Sequence, residues 1–330
     1  MKIVFFGTPE FAVKPLNKLI ESNHDILAVV TRPDKPKGRG RKVCPSPVKQ
    51  VALENNLKVL QPEKLLNIKE ELKNLGADVF VVVAYGKLLP PWILYMATHK
   101  CINIHPSLLP KYRGPAPIER TIMNGDKKTG VTTMRLSEGM DDGPIYLQEV
   151  VEIGEDENSD SLKNRLSEIS SELLSKTLRG IDEGSLEPKE QDHTKSTVIG
   201  KLTKEEEKID WNQPTETIHN KIRALSTKPG AYCFYKGKRL KILKSFISIS
   251  DVVPVSPNVI PSKAGIQISH QVRNDKMSPG IIIKISRDSF LTATGDGTIE
   301  VLQVQPEGRN PMSASEFIRG FKPQVGESLT

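Results

Sequence analysis

A mostly parallel α/β sheet followed by a smaller all-β domain is the fold class this sequence predicts. Three observations carry it. Residues 1–7 (MKIVFFG) and 78–84 (DVFVVVA) are near-continuous apolar runs, as expected of strands covered on both faces. Stretches of helical spacing lie between them. From Ala231 the apolar period changes to two, and short strands recur at near-regular intervals. A chain of 330 residues has room for two domains of about 100–200 residues each.

The first strand ends at Gly7. Thr8 is placed to cap the helix expected over 10–21, with Pro9 at its first position. Phe11, Leu16, Leu19 and Ile20 share its apolar face. Residues 26–31 (ILAVVT) form the second strand, so this is a βαβ unit with a right-handed crossover. Its turn, G-T-P-E-F, lacks G-x-G-x-x-G, and no G-x-x-x-x-G-K-[ST] occurs, which disfavours the usual dinucleotide and nucleoside triphosphate sites. Residues 32–49 (RPDKPKGRGRKVCPSPVK) follow. They set Arg32, Lys35, Lys37, Arg39, Arg41, Lys42 and Lys49 against Asp34 alone. Pro and Gly break every period there, which predicts an exposed loop, either simply solvated or making phosphate contacts. It has no aromatic residue to stack on a base.

Residues 48–55 and 64–75 read as helices around a short strand at 58–60. Further strands are expected at 101–105, 131–136 and 145–151, then an amphipathic helix over 159–180. The polar stretch 185–203 is the expected linker between a domain over 1–184 and one over 204–330. Residues 214–225 read as a helix, and 231–246 as a hairpin with Lys236-Gly237 at its tip. Strands at 280–285, 290–294 and 298–305 and a helix over 312–321 complete a small barrel or sandwich. Residues 248–279 show no period and read as an insertion.

Net charge is +7 with a pI of about 9.1, which favours a polyanionic partner over a neutral one. The longest apolar run, 79–85, is too short to span a bilayer, and the N-terminus has no signal-peptide plan, so a cytoplasmic location is expected. Three scattered cysteines without a CxxC pair argue against a disulfide scaffold or a zinc site. Cys101 reads as a small buried apolar residue rather than a nucleophile.

The chemistry concentrates in residues 101–146. Asn103 and His105 stand two apart at a strand end, so they share a face. Gly139-Met140-Asp141-Asp142-Gly143 brings carboxylates on a flexible turn, either toward the imidazole or merely into solvent. An amide donor, an imidazole and a carboxylate suffice to polarise a carbonyl and move a proton. The ends of three strands, at Gly7-Thr8, Tyr85-Gly86 and His105, are expected on one rim, where open parallel sheets bind ligands. The histidines at 24, 99, 193, 219 and 270 have no such companions.

The run N-I-H-P-S-L-L-P-x-Y-R-G-P-A-P-I, with G-M-D-D-G after it, resembles the formyltransferase family that uses 10-formyltetrahydrofolate. Agreement extends to F-G-T-P-E-F-A at 6–12, the basic loop from Arg32 to Lys49, and Val83-Ala84-Tyr85-Gly86. Lys208-Ile209-Asp210-Trp211 and Ile222-Arg223-Ala224 agree as well. Only 248–279 stands outside the resemblance, and 226–230 departs from it by lacking an aromatic. It implies a Rossmann-like formyltransferase domain and an OB-like β-barrel that assists tRNA binding. It implies Asn103, His105 and Asp141 as catalytic residues, with Asp141 preferred to Asp142 because the pattern is G-x-D-x-G. Ser107, Leu108, Leu109 and Pro110, with Tyr85 and Gly86, would contact the folate co-substrate. Arg32, Lys35, Lys37, Arg39, Arg41 and Lys42 would grip the acceptor end of an initiator tRNA. The implied reaction moves the formyl group of 10-formyltetrahydrofolate to the free α-amine of methionyl-initiator-tRNA, for translation initiation, in a monomer without a metal. Rival expectations are a formyltransferase for a small amine, a formyltetrahydrofolate hydrolase, and a nucleic-acid binder with an inactive site. Lys236, Lys238, Arg239, Lys241 and Lys244 of the hairpin would be a solvated face or an extension of the basic track.

Overall fold

The computed structural model describes residues 1–37, 42–248 and 278–330, so Arg39, Arg41 and nearly all of the expected insertion fall outside it. The chain divides into two compact units. Unit 1 is residues 1–118, 127–153 and 161–201; unit 2 is residues 119–126, 154–160 and 202–330.

The strands of unit 1 are β1 (Lys2–Gly7), β2 (Asp25–Val30), β3 (Lys35–Lys37), β4 (Lys42–Cys44), β5 (Val59–Leu60), β6 (Val79–Val83), β7 (Cys101–His105), β8 (Lys128–Arg135) and β9 (Ile145–Glu152). Seven of them form one sheet in the order β5-β2-β1-β6-β7-β8-β9. The pairs from β5 to β7 are parallel, and β8 and β9 run antiparallel. The central strands are buried throughout: every residue of β6 and β7, and all of β1 after Lys2. Each such Val, Ile or Phe contributes about 1.5–3 kcal/mol by leaving water. β9 has exposed residues along its length and takes the edge, as its polar Gln148 and Glu149 require.

The helices of this part of the chain are α1 (Val13–Ile20), α2 (Pro47–Glu54), α3 (Lys69–Leu75), α4 (Pro91–Leu94), α5 (Pro117–Met123), which falls mostly in unit 2, and α6 (Ser159–Asp182). Ser46 caps α2, its Oγ accepting from Lys49 N at 3.1 Å, with Pro47 in the first turn. Thr8 does not cap. Its hydroxyl donates instead to the Tyr85 carbonyl at 3.1 Å, tying the end of β1 to the end of β6. The first turn after β1 is a 3₁₀ turn over Glu10–Ala12, entered through Pro9 without a side-chain cap.

Two other expectations are corrected. The basic segment is not irregular throughout, because β3 and β4 pair as an antiparallel ribbon with Pro36 opposite Val43. A proline lacks the N–H of a ladder, but an isolated two-stranded ribbon leaves such positions free. The expected linker is ordered chain of unit 1 as far as Lys201. Lys189 exchanges backbone hydrogen bonds with Ile145 at 2.7 and 2.8 Å, and Val198 bridges to Arg113.

Unit 2 holds α7 (Thr215–Leu225), β10 (Ala231–Tyr235), β11 (Lys238–Ile247), β12 (Ile282–Ile285), β13 (Phe290–Ala293), β14 (Thr298–Pro306), β15 (Met312–Ser313) and α8 (Ala314–Phe321). Its antiparallel sheet runs β10-β11-β14-β13-β12, with β15 on β14. Lys236 and Gly237 both take positive φ, 50° and 74°, as the two-residue turn between β10 and β11 demands. The two outer strands are not left bare. Residues 326–330 bond to β12 through Gly326 and Glu327 with Ile282, and to β10 through Thr330 with Phe234, at 2.6–2.9 Å. This tail closes the sheet into a barrel, and its Leu329 is 1% exposed in a core with Trp211, Ile222, Phe290 and Phe317. Ser313 and Glu316 form a capping box at the start of α8.

Candidate active site

The ends of β1, β6 and β7 lie side by side in the sheet, and the chain leaves each in a sharp turn. After β6 this requires positive φ at Ala84 (47°) and Gly86 (80°). A Cβ at Gly86 would stand 3.2 Å from Arg32 Nη1, so the Arg32 guanidinium lies on this turn rather than out along the basic ribbon. Tyr85 turns inward. Its ring meets Phe6 edge-on at 5.5 Å and is 1% exposed, and its hydroxyl has no hydrogen-bond partner among the described residues. Burial pushes that phenol's pKa up from its ordinary value, Arg32 opposing.

β7 carries Asn103 and His105, both buried, with side chains on one face by the strand's period of two. His105 Nε2 lies 2.8 Å from the carbonyl of Tyr112. A carbonyl only accepts, so Nε2 bears a proton and donates it. Nδ1 then faces Asp141 Oδ2 at 3.6 Å. The Asn103 amide makes no hydrogen bond to another described side chain. Cys101, at the start of the same strand, donates to the Ile93 carbonyl, and burial pushes its thiol up to about 12, which removes it as a nucleophile.

Asp141 itself sits at φ 50°, in the left-handed region. Its Oδ2 accepts from Gly114 N at 2.8 Å. Asp142 faces its own turn and accepts from Ser137 Oγ. The two neighbouring carboxylates are thus separated in use: one beside the imidazole, one closing the loop.

Of the residues expected along the folate, Ser107 and Leu109 are buried, while Leu108 and Pro110 are half-buried. Thr132 Oγ1 donates to the Ser107 carbonyl at 2.6 Å and accepts from Leu109 N at 3.3 Å. Gln148 Nε2 donates to the Leu109 carbonyl at 2.8 Å. The antiparallel strands β8 and β9 therefore fix the path of 107–110 beside His105.

Sequence reading did not single out Arg113 and Gln191. Both are buried, 7% and 5% exposed. Gln191 Oε1 accepts from Arg113 Nε at 3.1 Å and Nη2 at 2.7 Å, and Gln191 Nε2 donates to the carbonyls of Asp141 (2.8 Å) and Gly143 (2.7 Å). The sequence signal available was the Arg in Y-R-G-P. Gln191 carried none, standing in what read as linker.

The base of the basic ribbon is pinned. Lys49 Nζ pairs with Asp34 at 2.6 Å, and Gln61 Nε2 donates to Asp34 at 2.7 Å and to the Arg32 carbonyl at 2.9 Å. Lys49 is therefore not a free cation, whereas Lys35 is exposed. In unit 2 the hairpin cations are largely engaged. Lys236 pairs with Glu327 at 2.8 Å, Arg239 stacks 4.1 Å over the Tyr232 ring, and Lys241 donates to the Pro229 carbonyl at 2.6 Å. Lys238 is exposed.

A buried amide, an imidazole with one nitrogen spare and a carboxylate beside it stand on the rim of a parallel sheet, groups that suffice to polarise a carbonyl and move a proton. The family profiles agree: the formyl transferase profile matches residues 1–178 and the formyl transferase C-terminal domain profile residues 201–322. The chain is 43% identical to the methionyl-tRNA formyltransferase of Caldanaerobacter subterraneus subsp. tengcongensis over 100% of both chains. It is 44% identical to that of Carboxydothermus hydrogenoformans over 100% of this chain and 99% of the other. The chain belongs to the methionyl-tRNA formyltransferase family. Among solved structures it resembles an N-formyltransferase from Helicobacter canadensis in complex with folinic acid and dTDP-3-aminofucose, at 20% identity and a TM-score of 0.65. That match covers 93% of this chain and 99% of the other, and at this identity it speaks to the fold alone.

Proposed function

We propose that this protein transfers the formyl group of 10-formyltetrahydrofolate to the α-amine of methionyl-initiator-tRNA, with Asn103, His105 and Asp141 as its catalytic residues. The observation that carries the reading is the spare Nδ1 of His105, 3.6 Å from Asp141, on the same strand face as the uncommitted Asn103 amide. The neutral amine attacks the formyl carbon, and the carbonyl oxygen becomes an oxyanion. Asn103 donates to that oxygen; one such donor is worth about 3–4 kcal/mol in comparable sites. The proton lost by the amine reaches the departing folate nitrogen through Nδ1 of His105, because Nε2 is committed to Tyr112. Asp141 stabilises the imidazolium in between. The nucleophile comes from the substrate, so no acyl-enzyme forms.

The rim suits a folate. Gly86 presents bare backbone, the exposed Leu88 next to it offers an apolar surface, and 107–110 run alongside. The cations at Lys35, Lys37, Arg39, Arg41 and Lys42 bind the acceptor arm through its phosphates, with Arg32 held back on the Gly86 turn, and the barrel of unit 2 assists. The protein works in the cytoplasm as a monomer. No helix among the described residues is long and apolar enough to cross a membrane.

The deciding assay offers the formyl donor with initiator methionyl-tRNA, elongator methionyl-tRNA, a small amine sugar nucleotide, or water alone. Preferential formylation of the initiator tRNA is expected. Turnover only with the small amine, or only hydrolysis, would overturn the reading. Replacing Arg39, Arg41 and Lys42 by Ala should weaken tRNA binding and flatten its dependence on salt, by about 0.7–0.9 in log–log slope for each phosphate no longer neutralised. An unchanged slope removes these residues from the interface.

A further inference from the structure

Asp141 holds a left-handed backbone conformation at a non-glycine position, which persists where the surroundings enforce it. The surroundings do so at both ends of the residue. Gly114 N holds the carboxylate at 2.8 Å. Gln191 Nε2 holds the residue's own carbonyl at 2.8 Å and that of Gly143 at 2.7 Å. The orientation of the Gln191 amide is forced. Its oxygen faces the two donors of Arg113, which cannot accept, and its nitrogen faces two carbonyls, which cannot donate. All four hydrogen-bonding capacities of the amide are used. Arg113 is also the residue immediately before Gly114, and its backbone is fixed to 197–199 by bonds of 2.8 Å. One short stretch of chain, 113–114, thus grips the carboxylate directly and the carbonyl through Gln191.

We infer that Gln191, anchored by Arg113, is a positioning residue that sets the distance between Asp141 and His105 and so the rate of the proton transfer, without touching either substrate. This rests on the proposed roles of Asp141 and His105. Removing the amide lets the 141–143 turn relax toward ordinary φ, which carries the carboxylate away from Nδ1 and lowers kcat while leaving the folate path along 107–110 intact.

Three variants of the full chain test it: Gln191→Leu, Gln191→Glu, and Gln191→Leu combined with Asp141→Asn. Each is checked by thermal melting, and kcat and KM for 10-formyltetrahydrofolate are measured with methionyl-tRNA as acceptor. Gln191→Leu should lower kcat tenfold or more with KM changed less than about twofold. Gln191→Glu keeps acceptors for Arg113 but replaces the donors to the two carbonyls, so it should fall as far as Gln191→Leu. The double variant should be no slower than Asp141→Asn alone, since both changes remove one arrangement. Native kcat in Gln191→Glu would show that the residue only anchors Arg113, and additive losses would show that it acts elsewhere; either overturns the inference. Failure of both single variants to fold would make Gln191 a structural staple and overturn it too. Absence of transfer by the native protein would sink the functional reading and this inference together, whereas native transfer with unchanged variants would sink the inference alone.

Discussion

The imidazole of His105 gives one nitrogen to structure and keeps one for chemistry. Replacing it by Ala should reduce kcat by orders of magnitude while circular dichroism and melting stay near native, because the ring's polar partners are a single bond to Tyr112 and a long pairing to Asp141. Asp141→Asn should be comparably severe and Asp142→Asn mild, since an amide oxygen still accepts from Ser137. The reverse order in kcat would reassign the carboxylate. The cysteines give a separate check. Burial lifts both Cys101 and Cys233 to about 12, so alkylation of the native protein near pH 8 should label Cys44 alone. At this scale the N-x-H spacing and the Gly-flanked Asp pair were enough to find the catalytic candidates. They were not enough to say which ring nitrogen is spare, since that depends on the Tyr112 carbonyl meeting Nε2, an arrangement made by the turns after β7. Gln191 is illegible for a related reason: its partners lie 48 to 78 residues away along the chain, and no local pattern marks them.

Among the elements, α7 carries a titration that the fold must accommodate. Burial and then the Arg223 guanidinium lower the His219 pKa from 6.5, while Asp156 and Glu216 act the other way. The unfolded chain therefore takes up this proton first as pH falls. The stability of unit 2 should be full above about pH 6.5 and decline below it, and His219→Gln should flatten that decline in thermal melts. Helix α8 depends on its cap. Ser313→Ala should cost about 1 kcal/mol and lower the melting temperature of unit 2 by a few degrees. Strongly patterned elements such as β1, β6, β7, α6 and the hairpin β10–β11 were legible because burial follows directly from the apolar period. The ribbon β3–β4 was not, because Pro36 and the glycines beyond it read as breakers, and two short strands need no buried face to announce them. Thr8 reads as a cap because a hydroxyl at a strand end has two possible partners, and here it donates to the Tyr85 carbonyl of the neighbouring turn.

For the whole molecule, the sheet order and the closing tail organise the two units. Leu329→Ala should cost about 2–5 kcal/mol through the cavity it leaves, a large share of the stability of a unit of this size. Melting should show it as an early transition, and a native-like melt would mean the tail is dispensable to the barrel. The division into an α/β part and a β part was legible from the change of period at Ala231, but the boundary was not. Residues 185–201 look like linker by composition, yet their backbone is used by β9 and by Arg113. The tail of the barrel is not legible, because G-E-S-L-T is too short and polar to show a period.

The closing tail has a kinetic consequence as well. Phe234 stands at the beginning of the barrel and Thr330 at its end, and they pair directly. Most of unit 1 is built from neighbours in sequence, strand to helix to strand, whereas ring closure in unit 2 must bring together the ends of a long segment before any bond rewards it. The pairing of the tail should therefore be among the last steps when the protein refolds. Substitutions there, Leu329→Ala among them, should speed unfolding and leave the refolding rate nearly unchanged in stopped-flow measurements.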